Sequence, residues 1–185
     1  MTVDDLKSLL PPPQAPVAVP TPEQWQEAER ELGVSLPTDY KAYLAAFGVG
    51  RIDDFLWIYS PAAENQYANV MKALSFEQQA AAYLKARRTE RGAGAPAYEV
   101  FPATPGLLPF GATDNGDMLY WVVTRGSDPR EWPVAVHASR EDGLEIFNLS
   151  LTAFLAAVLR RQVEPDAFPD GFPDDVHRYE PARAP

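Results

Sequence analysis

The segment Leu107–Thr124 constrains the fold more than any other part of this chain. It reads LLPFGATDNGDMLYWVVT, with the turn residues Asp-Asn-Gly-Asp at 114–117 between two apolar runs. Asn-Gly supplies the two positive φ angles of a type I′ turn, so the segment predicts a tight β-hairpin. The second arm, Met118–Val123, is apolar at almost every position, which is typical of a strand covered on both faces. We therefore expect this strand to lie at the centre of a sheet.

Helical patterns precede and follow the hairpin. Thr21 and Gln24 form a capping box around Pro22, which predicts a first helix, and Pro37 predicts the start of a second. Residues 64–88 predict two helices or one bent helix, with a second capping box at Ser75 and Gln78. The most amphipathic pattern in the chain follows Ser150 and predicts a final helix over residues 151–159.

Strand patterns fill the segments between these helices. Besides the hairpin, strands are predicted at Ile52–Tyr59, Tyr98–Phe101, Trp132–Ala138 and Leu144–Phe147, and residues 89–97 are predicted to form a loop. This order predicts an α+β fold in which helices flank an antiparallel or mixed β-sheet.

The length of 185 residues indicates one domain with its own core. The 19 prolines, about twice average usage, lie mainly near the ends or beside strands. We therefore predict an N-terminal arm with a proline-rich linker over residues 1–20, a folded domain over 21–162, and an irregular C-terminal tail over 163–185. Phe168 and Phe172 are candidates to anchor that tail to the domain.

No pattern for catalysis, a metal or a cofactor is present in the sequence. There is no cysteine, and the two histidines, His137 and His177, lack the short spacing of zinc ligands. The turn at 114–117 lacks the alternating acidic ligands of a calcium loop, and the adjacent carboxylates Asp53 and Asp54 point to opposite faces of the predicted strand. We therefore expect a protein that is not an enzyme and that needs no cofactor or metal ion.

The net charge indicates which partners the protein can bind. Sixteen basic and 26 acidic residues give a formal charge of −10, which repels nucleic acid and anionic membranes and suits a basic protein partner. No apolar run approaches the roughly 18 residues that a membrane span needs. We expect a soluble, cytoplasmic protein with no direct nucleic-acid or membrane contact. The sequence leaves its oligomeric state open.

Three groups of residues resemble signatures of the SUKH superfamily, bacterial proteins similar to fungal cell-wall-assembly regulators. The first group is Ala28-Glu29, Leu32-Gly33-Val34, Leu36-Pro37, Asp39-Tyr40-Lys41, Tyr43-Leu44 and Phe47-Gly48. The second is Leu108-Pro109-Phe110-Gly111, Asn115-Gly116-Asp117 and Leu119-Tyr120-Trp121, and the third is Ser150-Leu151 and Phe154-Leu155. Together they run in the family's order from about Thr21 to Arg161.

The resemblance implies an α+β fold and a protein-binding role. Bacterial members are mostly regarded as immunity proteins that neutralise toxins, often nucleases, and fungal members as regulatory interaction proteins. The resemblance thus implies an immunity protein for a basic toxin domain, with a regulatory or scaffold protein as the alternative. The segment 64–88, the arm and the tail depart from the family pattern, so the identity of the partner stays open.

Candidate partner-binding residues are acidic or aromatic and lie near predicted strand ends. Acidic candidates would complement a positive nuclease cleft, and tryptophans are frequent anchors of protein interfaces. The candidates are Asp53, Asp54, Trp57, Trp132, Glu141 and Asp142.

Overall fold

The computed structural model describes residues 2–91, 99–140 and 143–183, with side chains as far as Tyr83 in the first of these ranges. The helices are α1 (Val3–Lys7), α2 (Pro22–Leu32), α3 (Thr38–Phe47), α4 (Val70–Arg91) and α5 (Leu151–Leu159). The strands are β1 (Gly50–Ile52), β2 (Leu56–Ile58), β3 (Glu99–Val100), β4 (Gly106–Thr113), β5 (Met118–Val123), β6 (Val134–His137), β7 (Leu144–Phe147) and β8 (Tyr179–Pro181). Short 3₁₀ helices occur at Gln66–Ala68 and Pro129–Glu131.

Seven strands form an antiparallel path in the order β7-β6-β5-β4-β2-β1-β8, and β3 pairs in parallel with the start of β4. Strand β5 is flanked by β4 and β6, as its continuous apolar sequence predicts. Among the residues that the structure describes, strands and helices form a single α+β domain, which confirms the predicted fold class.

The two faces of the sheet are covered by different helices. Alternate residues of β5, Leu119, Trp121 and Val123, join the main core with α1, α3 and α5. We call this the core face. The intervening residues of β5 point to the opposite face, where α4 packs against β3 and β4. We call this the α4 face.

Both ends of the chain pack into the same domain. Leu6 and Leu10 of the arm are fully buried, and the arm is tied to the domain by a hydrogen bond from the Ser60 hydroxyl to the Ala18 carbonyl (2.7 Å). The tail was expected to be irregular, but it adds β8 to the sheet edge beside β1. A three-residue edge strand carries too little periodicity to stand out in sequence.

The predicted position of the type I′ turn is wrong. Residues 52–59 are not one strand: Asp53 and Asp54 have φ angles of 46° and 54°, and the Phe55 N–H donates to the Ile52 carbonyl (3.0 Å). These two left-handed residues give the geometry expected of Asn115-Gly116. Aspartate tolerates this region better than most residues, and β1 and β2 therefore form a hairpin of their own.

At the central hairpin, only Gly116 has a positive φ, 86°, and Asn115 does not. The Gly116 N–H donates to the Thr113 carbonyl (2.9 Å), closing a turn of the type I family that is followed by one left-handed residue. The I′ assignment is wrong here because the loop spans four residues between Thr113 and Met118, and the longer loop favours this turn.

The helical predictions are confirmed in outline and corrected in detail. The Thr21 and Gln24 capping box is present, with hydrogen bonds of 2.9 and 3.3 Å. Ser75 does not cap a helix because it lies inside α4, and the Gln78 side chain donates instead to the Phe101 carbonyl (2.8 Å). Helix α4 continues to Arg91, so residues 89–91 are helical rather than part of a loop, and 92–97 lie outside the described residues.

We predict that Gly116→Val lowers the free energy of unfolding by about 1–3 kcal/mol, since a β-branched residue is strained at a φ of 86°. Gly116→Asn is the matched control, because asparagine adopts left-handed angles more readily. A Cβ at this position meets only Ser139, at 3.7 Å, so strain rather than a clash is tested. Urea midpoints measure the effect; equal midpoints for Gly116→Val and wild type would contradict the left-handed assignment.

Candidate protein-binding surface

The antiparallel strand order brings three hairpin turns and the tail to one end of the sheet. The Asp114 N–H donates to the Phe55 carbonyl (3.0 Å), which joins the first two turns. The Ser139 N–H donates to Asp117 Oδ1 (2.9 Å), which brings in the third. The tail reaches the same place, because the Asp174 N–H donates to Asp53 Oδ2 (3.2 Å). We call this the turn end of the sheet.

A row of residues crosses the α4 face beside the turn end. Residues directly opposite each other in antiparallel strands share a face, so the strand pairing places one residue from each of seven strands side by side. Six of them are half-buried and the first is exposed. They are Glu180, Arg51, Trp57, Ala112, Met118, His137 and Leu144. We call this set the open row.

The next row of the same face is more deeply buried than the open row. Two residues further along β5 and β6, Tyr120 is 4% exposed and Ala135 is fully buried. The open row therefore combines an arginine, a tryptophan and a methionine that are partly accessible to solvent. These three residue types are enriched at protein interfaces.

Arg51 is the centre of a charged cluster at one end of the open row. Its Nη2 lies 2.9 Å from Asp54 Oδ1 and 2.5 Å from Glu180 Oε2, and its Nη1 lies 3.5 Å from Asp114 Oδ2. The guanidinium carbon is 5.8 Å from the centre of the Trp57 ring. The Trp57 Nε1–H donates to Asp114 Oδ1 (2.7 Å), which fixes the indole. We call Arg51, Asp54, Trp57, Asp114 and Glu180 the Arg51 cluster.

The Arg51 cluster is electrostatically negative. Three carboxylates surround one guanidinium, so two negative charges remain uncompensated. The hydrogen bond from Arg51 holds the pKa of the Glu180 carboxyl below its ordinary value, so this side chain stays ionised at neutral pH. Because all three carboxylates are largely exposed, a cationic partner can approach them without displacing the core.

Asp53, predicted as a partner-binding residue, instead fastens the tail. Its side chain is fully buried. It accepts hydrogen bonds from the N–H groups of Asp174 (3.2 Å) and Arg178 (2.6 Å), and His177 Nδ1 lies 2.9 Å away. Because a carboxylate accepts only, Nδ1 carries the proton in this pair. Asp53 therefore has no atom available to a partner.

The other predicted residues divide between the surface and the core. Asp54 and Trp57 belong to the Arg51 cluster. Trp132 is 2% exposed and its Nε1–H donates to Ser127 Oγ (2.9 Å), so it is a core residue and not an accessible anchor. Its alternation with Val134 and Val136 points to this burial. Glu141 and Asp142 lie outside the described residues.

Sequence reasoning missed most of the open row. Arg51, Met118, His137 and Leu144 each lie within three residues of a turn, on the same face of the sheet. Their common feature is strand register, which a single sequence does not specify when partner strands are separated by long connections. The one local signal for this surface is the position of Asp114 in the predicted turn of the central hairpin.

Neither a candidate metal cluster nor a membrane-spanning helix occurs among the described residues. Within the described ranges, no group of three or more His, Cys, Asp or Glu side chains is placed to hold a metal ion. No helix in the described part of the chain has the length and apolar character needed to cross a bilayer.

We predict that Asp53→Asn lowers the free energy of unfolding by about 1–3 kcal/mol and speeds hydrogen exchange of the Ala182 amide, which donates to the Val49 carbonyl. Asparagine keeps the left-handed backbone but places an NH₂ group among hydrogen-bond donors. Asp54→Asn is the matched control, because the adjacent left-handed carboxylate is 75% exposed. If the two variants exchange and unfold alike, Asp53 does not fasten the tail.

Comparison with known proteins places this surface on a family scaffold. The sequence model of the SMI1 / KNR4 family (SUKH-1) matches residues 19–157, well over half of the chain. Comparisons with curated proteins and with solved structures give no match. The matched range includes the central hairpin, the open row except Glu180, and most of α5. The chain therefore belongs to the SMI1 / KNR4 family (SUKH-1).

Proposed function

We propose that this protein is a non-enzymatic protein-binding module that acts in the cytoplasm as an immunity protein and neutralises a cognate toxin whose basic domain is a nuclease. Membership of the SMI1 / KNR4 family carries the proposal, since it is consistent with an immunity-type or interaction module. The net charge of −10 and the surplus negative charge of the Arg51 cluster support a basic partner.

The open row and the Arg51 cluster form the proposed contact surface. Its accessible aromatic and aliphatic side chains supply apolar area, and the carboxylates around Arg51 form a charged rim. Protein interfaces are commonly built in this way, with an apolar centre and a polar border. Trp57 is the proposed anchor because its indole is already held by Asp114 and by the Arg51 guanidinium.

Inhibition follows from charge complementarity with a nuclease cleft. Such a cleft is positive because it holds phosphates, so an acidic surface competes with nucleic acid for the same groups. Long-range attraction between the two proteins also speeds their encounter, and this attraction is screened over about 8 Å at physiological ionic strength. Neutralisation therefore requires tight binding but no chemical step by the inhibitor.

We expect co-expression with the toxin domain encoded beside this protein to restore growth, and the two proteins to co-elute in gel filtration. Association should become slower as salt rises, because it depends on exposed charges. Death of the co-expressing cells together with failure to form a complex would contradict the immunity proposal and favour the regulatory or scaffold alternative.

Within that complex, Trp57→Ala should raise the dissociation constant by about tenfold or more, the effect of losing an interface anchor. Tyr67→Ala is the control, because Tyr67 is a 74% exposed aromatic outside the open row. Thermal melts of the free variants verify folding. Equal affinities for Trp57→Ala and Tyr67→Ala would remove the open row from the interface.

A further inference from the structure

The C-terminal tail contains a four-residue repeat that has no counterpart elsewhere in the chain. Residues 165–176 read Pro-Asp-Ala-Phe, Pro-Asp-Gly-Phe and Pro-Asp-Asp-Val. In each of the first two units the N–H of the phenylalanine donates to the carbonyl of its proline, at 2.9 Å for Phe168 and 2.8 Å for Phe172. The repeat is thus a succession of β-turns, and equivalent side chains recur once per turn.

The turns separate apolar from acidic side chains. Phe168 and Phe172 pack against Phe55 at the turn end, with ring centres 5.6 and 4.8 Å from it. Asp166 and Asp170, one in each turn, are exposed. The phenylalanines hold the segment on the core, so the carboxylates are presented by an anchored backbone rather than by a loose end.

A cleft of about 440 Å³ lies between this repeat and the end of α5. Val158, Phe168 and Phe172 give it an apolar lining, and Glu164, Asp166 and Asp170 contribute carboxylates. Its volume lies within the range of about 300–1,000 Å³ that is usual for ligand pockets. The cleft is therefore large enough to receive side chains of another molecule.

The charge of the cleft selects a cationic occupant. Arg161 is its one basic lining residue, and its Nη2 donates to the Pro173 carbonyl (2.5 Å). This hydrogen bond holds the Arg161 guanidinium against Pro173, the proline of the third repeat unit. Three lining carboxylates against one guanidinium leave two negative charges, which disfavours an anion and favours a lysine or arginine side chain.

The cleft lies outside the range that the family model matches. All of its lining residues lie between Val158 and Pro173, beyond residue 157 where the family match ends. A surface outside the shared scaffold is a suitable place for discrimination between partners, because specificity is a difference between affinities.

We propose that this cleft is a specificity site that takes a lysine or arginine side chain flanked by apolar residues, from an exposed segment of the partner protein. The methylene stem of such a side chain would lie along Val158 and the phenylalanines, and its charged head would reach the carboxylates. This inference rests on the proposed function, because the protein that supplies the lysine or arginine side chain is the basic partner proposed above.

The test is an NMR titration of isotope-labelled protein with the peptide acetyl-Lys-Leu-Lys-Leu-Lys-amide. Shift changes should centre on residues 158–173, and Asp166→Asn with Asp170→Asn should weaken binding about threefold to tenfold, as expected for two lost charge pairs. The matched control, Glu31→Gln with Glu131→Gln, removes two exposed charges outside the cleft and should leave affinity unchanged.

A second peptide, with glycine in place of leucine, tests the apolar lining on the unaltered protein and should bind more weakly. Each of four results would overturn the inference: no binding of the peptide, shift changes centred on the Arg51 cluster, equal weakening by both variant pairs, or equal affinity for both peptides.

This test can fail independently of the immunity proposal. If the toxin binds the Asp166→Asn, Asp170→Asn variant as tightly as wild type, only the cleft assignment fails. If the peptide binds in the cleft but the toxin forms no complex, only the immunity proposal fails.

Discussion

The buried carboxylate of Asp53 is the interaction on which the surfaces of this protein depend. It lies in a left-handed turn between β1 and β2, and it binds the backbone at Asp174 and Arg178 and the ring of His177. These contacts set the position at which the tail enters β8. Because β8 carries Glu180 to Arg51, the attachment of the tail supplies one of the three carboxylates of the Arg51 cluster. The same attachment fixes the end of the Pro-Asp repeat.

An aromatic cluster in the core joins helix α3 to the sheet. The ring centre of Trp121 in β5 lies 4.9 Å from that of Tyr40, which it meets edge-on, and 4.5 Å from that of Phe110. Helix α3 and strands β4 and β5 therefore meet at one side chain. Asp39, next to Tyr40, accepts a hydrogen bond from the Thr152 N–H (2.9 Å) and caps the start of α5. Residues of the family signatures therefore build the contacts that join the helices to the sheet.

The sequence predicts those helices and strands that are set by local periodicity. The amphipathic pattern of α5, the capping box at Thr21 and the continuous apolar run of β5 each indicate their element without reference to the rest of the chain. The open row depends on the register of seven strands. The role of Asp53 depends on Asp174 and Arg178, which are separated from it by 121 and 125 positions in the sequence. Such non-local contacts leave no periodic signal. Periodicity alone therefore does not separate Trp132 and Asp53, whose side chains are buried, from the exposed Asp54 and the half-buried Trp57.

The most direct test of this account is urea unfolding of the chain truncated after Gln162. If the tail is part of the domain, its loss exposes Phe55 and the edge of β1, and the unfolding midpoint should fall clearly below that of the full chain. The Arg51 cluster should also lose Glu180, while the central hairpin keeps its hydrogen-bond pattern. A truncated protein with the midpoint of the full chain would contradict the claim that the tail, fastened by Asp53, is part of the folded domain.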